Sequence, residues 1–135
     1  PTGEDFIHEE VTPNFFRHAM DYIRQQAGSG RPFFLYLALP SPHTPILPSA
    51  RWEGKSGLNA YGDFVMMIDD WTGQLLEVLK NEEMKKNTLV FFASDNGCSP
   101  RANFELLGEL GHAGIRQKND GIVFEWHQIY PEVNK

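Results

Sequence analysis

Two short apolar runs constrain this chain more than any other feature: "FFLYLAL" at 33–39 and "NTLVFFA" at 87–93. Neither alternates polar with apolar residues. A run of this length bounded by turn formers predicts a strand buried on both faces, the habit of parallel sheets. Parallel strands need a long crossover between them, and residues 59–82 supply one with helical period. Tyr61, Phe64, Val65, Ile68, Leu75, Leu76 and Leu79 fall on one face, and Met67, Trp71 and Val78 widen it. Strand, helix and strand in that order predict an α/β fold, a mostly parallel sheet with flanking helices and a right-handed connection.

An earlier helix is predicted from Thr12 to Ala27. Thr12 is read as its N-cap and Pro13 as its first residue, with "GSG" at 28–30 as its stop. A shorter helix is expected over about 102–110. From Pro40 to Gly62 the chain carries four prolines, which suit neither helix nor central strand. A loop of that length usually has a job. The composition, 41% hydrophobic and 22% charged, is that of a folded chain, and 135 residues suffice for one core. A net charge of −6 argues against a nucleic-acid partner, and no apolar run is long enough to span a membrane. The single cysteine excludes an internal disulfide.

In open parallel sheets, ligands bind beyond the carboxyl ends of the strands. His43 follows the first strand there, in "PSPHTP", and Asp95 and Asn96 follow the second. If the strands are neighbours, the three share one crevice. Asp95 and Asn96 offer hard oxygen ligands suited to Ca²⁺, although six to eight such ligands are needed. His43 can donate to an anionic oxygen or act as acid or base. Asp69 and Asp70 look like a ligand pair, but adjacent helical residues point about 100° apart.

The blocks "RPFFLYLALPSPHTPILPS", "GKSGLNAYGDFVMMIDDWTGQLLEVLK" and "NTLVFFASDNGCSP", in this order, closely resemble the sulfatases of the alkaline-phosphatase superfamily. The likeness is best over 12–112; the tail 113–135 departs from it. The resemblance implies that residues 1–135 are part of a single sulfatase catalytic domain, an α/β sandwich that hydrolyses sulfate esters with a formylglycine and a bound Ca²⁺. It makes Asp95 and Asn96 metal ligands and His43 the residue that contacts the sulfate group and assists departure of the leaving group. Gly111 and His112 match the family's "GH", and Lys118 in "IRQKND" partly matches its sulfate-binding lysine.

Cys98 resembles the formylglycine precursor only superficially. In "CSPRA", Arg101 comes one position early and the serine of C-x-P-S-R is missing. The expectation is therefore that this chain holds no nucleophile, that the formylglycine segment and paired aspartates of the family belong to a longer enzyme, and that the piece is inactive alone. The partner implied is a sulfate-ester small molecule or a sulfated sugar, and the location periplasmic, secreted or lysosomal. Unfilled sheet edges are expected to favour self-association. The alternatives are a phosphodiesterase or phosphonate hydrolase of the same superfamily, and a non-catalytic α/β binding module. A C-x-P-S-R upstream would separate the first from a sulfatase; indifference to loss of His43 and Asp95 would mark the second.

Overall fold

The computed structural model describes residues 3–95. The chain divides into two compact units, Pro1–Asn87 and Thr88–Lys135. The first is built on two helices, α1 (Val11–Ala27) and α2 (Ala60–Asn81). A short 3-10 helix, His8–Glu10, leads into α1.

The apolar stripe of α1 buries Phe16, Ala19, Met20 and Ile23, and that of α2 buries Phe64, Met67, Ile68, Val78 and Leu79. The two helices pack on each other. Phe16 lies on Trp71, ring centroids 6.1 Å apart and planes within 15°, and the Arg17 guanidinium covers the same indole. Met67 is wholly enclosed, whereas Val65 is exposed. The stripe of α2 is therefore turned slightly from its predicted centre.

The helix ends show their own chemistry. Asn59 caps α2, its side chain accepting the Gly62 amide at 3.0 Å. At the other end the Met84 amide donates to the Leu79 carbonyl and the Glu83 amide to Lys80. That closure places Glu83 at φ 58°, a left-handed position that favours glycine. Thr12 is not a cap, contrary to the reading from sequence. Helix α1 starts at Val11, its N-cap is Glu10, and that residue makes no side-chain cap bond. The preceding 3-10 turn extends the helical path upstream of Thr12, which frees the Thr12 hydroxyl for another partner.

Neither apolar run forms a strand among the described residues. Residues 33–39 alternate in exposure instead of being buried throughout: Phe33, Leu35, Leu37 and Leu39 are half-buried, while Phe34 and Tyr36 are more than four-fifths exposed. Phe33 meets Tyr22 of α1 edge to face at 5.8 Å. Leu35 and Leu37 line an open apolar groove of about 500 Å³ with Phe15, Ala19 and Tyr22 of α1. A strand exists only by pairing, and among the described residues the segment has α1 against one face and no backbone hydrogen bond to a neighbouring strand. In the second unit Leu89, Phe91 and Phe92 are each more than half exposed. No helix among the described residues is long and apolar enough to cross a membrane.

Candidate functional site

The long proline-bearing loop joins residue 39 to α2, and His43 stands near its start. The His43 amide donates to the Pro40 carbonyl at 3.2 Å, closing a turn. The Ser41–Pro42 and Thr44–Pro45 bonds are cis. His43 Nδ1 lies 2.8 Å from the Thr44 carbonyl oxygen. A carbonyl only accepts, so Nδ1 carries a proton and Nε2 is the ring nitrogen left to face a ligand. His43 is exposed, and Nε2 has no protein partner among the described residues. Such a ring can accept a proton at Nε2 and then donate it, with charge, to an anionic oxygen.

The rest of the loop is tied down at intervals. Ser41 and Thr12 hydroxyls meet at 2.7 Å. The Ser49 amide and hydroxyl both point at the Met67 sulfur, at 3.4 and 3.3 Å. Arg51 reaches Asp70 at 3.3 Å and stacks over Trp52. Asp70 also accepts from Gln74 at 2.7 Å, and Asp69 is exposed. The adjacent aspartates thus do different things, as their helical setting predicts.

The firmest anchor is Asp63, only 4% exposed. One carboxylate oxygen accepts the Ser56 amide and the other the Gly54 amide, each at 2.8 Å. The Ser56 amide and side chain, then the Gly54 and Lys55 amides, hold this carboxyl below the usual carboxylate range, against burial that pushes it up. Reading the sequence for chemistry missed Asp63, Thr12 and Arg51 because each acts on a partner distant along the chain. Only Asp63 left a signal, an acidic residue in the first turn of a helix just after a glycine-rich loop.

Asp95, in the second unit, is exposed and offers one hard oxygen donor. Among the described residues no three of His, Cys, Asp and Glu stand together as a metal would require. By themselves these residues therefore do not make a Ca²⁺ site. Asn96, Cys98, His112 and Lys118 lie outside the described residues, as does the helix expected near 102–110.

The loop thus holds His43 between prolines and is braced on both helices. The sulfatase family model matches residues 5–121, so the chain belongs to the sulfatase family. It is 43% identical over 98 residues to N-acetylgalactosamine-6-sulfatase of Rattus norvegicus, covering 73% of this chain and 18% of that enzyme. An N-acetylgalactosamine-6-O-sulfatase of Bacteroides thetaiotaomicron is 39% identical over 66 residues, 49% of this chain and 13% of that one. The crystal structure of Ps i-CgsB in complex with k-i-k-neocarrahexaose matches with a TM-score of 0.63 and 31% identity, over 68% of this chain and 22% of its own. The chain thus spans under a fifth of the length of the curated relatives it matches. These likenesses support the alkaline-phosphatase-like fold implied by the resemblance, while the sheet itself is not among the described residues.

Proposed function

We propose that this chain is part of the catalytic domain of a sulfuric ester hydrolase acting on sulfated sugars. The match to the sulfatase family over residues 5–121 carries this reading. The sugar class is favoured by the N-acetylgalactosamine-6-sulfatases and by the neocarrahexaose complex among its relatives. Both units would belong to one α/β sandwich, with residues 33–39 and 87–93 as members of its mostly parallel sheet. His43, its Nδ1 proton held by Thr44, would present Nε2 to a sulfate oxygen and steady the charge that gathers on the leaving group. Asp95 and Asn96 would supply two of the oxygen ligands of a Ca²⁺ ion, which when bound would neutralise sulfate charge; the remaining ligands lie elsewhere. Lys118 and His112 would add contacts to the sulfate. Cys98 would not be the formylglycine precursor, and the chain alone would not turn over substrate.

Titration with inorganic sulfate tests this reading, followed by the His43 Hε1 resonance at constant ionic strength. The expected result is a saturable shift that chloride does not cause and that is absent in His43→Ala. A response equal for both anions would overturn it, and robust hydrolysis of 4-nitrophenyl sulfate by the chain would overturn the view that its nucleophile lies elsewhere. The unpaired segment should also make the chain self-associate, since residues 33–39 make no backbone hydrogen bond among the described residues. Sedimentation should show oligomers that Tyr36→Lys reduces.

A further inference from the structure

We propose that Thr12 is a positioning residue for His43, acting through Ser41; its bearing on catalysis rests on the sulfatase reading above. Thr12 sits in the first turn of α1, 3% exposed, and the residues Pro13 and Phe16 that follow it are buried too. A helical threonine commonly turns its hydroxyl back on the carbonyl three or four residues earlier. Here it crosses 29 positions of sequence to the Ser41 hydroxyl at 2.7 Å. One hydroxyl donates and the other accepts, so the pair satisfies itself in a partly buried place where water competes poorly.

Ser41 lies inside the turn closed by the His43 amide and the Pro40 carbonyl. The hydrogen bond of the His43 ring is to its own neighbour, Thr44. That bond orients the imidazole within the turn but says nothing of where the turn stands on the protein. The next side-chain anchor of the loop is Ser49 on Met67, six residues beyond His43. The Thr12–Ser41 pair is thus what references the histidine turn to the helical core. It also explains why a hydroxyl is present at a buried helix position that does no capping.

The test uses Thr12→Val, which keeps the shape and removes the hydroxyl, Thr12→Ser, which keeps the hydroxyl, and Ser41→Ala, which removes the partner from the loop side. Two readouts are taken on the whole chain: exchange of the His43 amide, and the sulfate concentration that half-saturates the His43 Hε1 shift. Thr12→Val and Ser41→Ala should each speed exchange and raise that concentration about fivefold, the weight of one ordinary hydrogen bond. Thr12→Ser should restore wild-type values, and far-ultraviolet circular dichroism should be unchanged throughout. Wild-type exchange and sulfate response in both hydroxyl-deleted variants would overturn the proposal. If Thr12→Val unfolds, Ser41→Ala alone decides by the same readouts. Should wild-type His43 ignore sulfate, the sulfatase reading fails, while the exchange comparison still decides whether Thr12 holds the turn.

Discussion

The two helices carry apolar stripes and the two runs are apolar almost throughout, yet they end in opposite conditions. Phe16, Ile23, Met67 and Leu79 are almost fully enclosed. Phe34, Tyr36, Leu89 and Phe91 are between 66% and 87% exposed. A helix satisfies its own backbone and needs only one apolar neighbour, which α1 and α2 provide for each other. A strand has both backbone edges and two faces to satisfy, and among the described residues the helix beside residues 33–39 is α1. Apolar composition therefore sets the demand for burial, and the number of surfaces an element must cover sets how many neighbours it takes to meet it.

The largest effect should come from truncating the closed side of that contrast. Phe16→Ala should cost about 3–5 kcal/mol in urea unfolding followed by tryptophan fluorescence, because it empties the contact with Trp71. Phe34→Ala, at 87% exposure, should stay within about 0.5 kcal/mol. Equal losses would break the comparison.

The seam between loop and helix comes next. A methyl on Gly62 would come within 2.8 Å of the Ser56 hydroxyl oxygen and 3.1 Å of its Cβ. Ser56 is itself fixed by bonds to Asn59 and Asp63, so Gly62→Ala should lose about 1–3 kcal/mol in the same assay. Asp63 sharpens the point through pH. Its carboxyl is lowered in the folded chain, so its contribution is complete above the unfolded carboxylate value and fades as pH falls through the lower folded value. Thermal melts of the wild type should therefore steepen in acid below about pH 4, and Asp63→Asn should flatten that limb. The smallest change should be a gain. Glu83→Gly relieves the left-handed position after α2 and should add about 1 kcal/mol, read as a higher urea midpoint.

Much of the candidate site was legible because its marks are local. The proline spacing around His43 marks a held loop, and "SDNG" after an apolar run marks Asp95 and Asn96 as candidate oxygen donors, although residues 87–93 form no strand among the described residues. The bracing was illegible. Thr12 reads as a cap because a hydroxyl before Pro13 usually is one, yet its partner lies 29 residues away. Asp70 looks like half of a ligand pair in sequence, yet it is ion-paired with Arg51 across 19 positions. Asp63 shows in sequence as an acid in the first turn of a helix, and only the amides of residues 54 and 56 give it a reason to be buried.

Period and composition by themselves determined the two helices, the stop at residues 28–30 and the long loop, because those rest on neighbours within a few positions, and the family showed through the resemblance of three ordered blocks. Tertiary structure decided which hydroxyl holds which turn, which aspartate clamps the loop, and which side of residues 33–39 meets a helix. Such choices depend on distances between parts of the chain far apart in sequence, and a hydrogen bond forms only where folding brings donor and acceptor within about 3 Å.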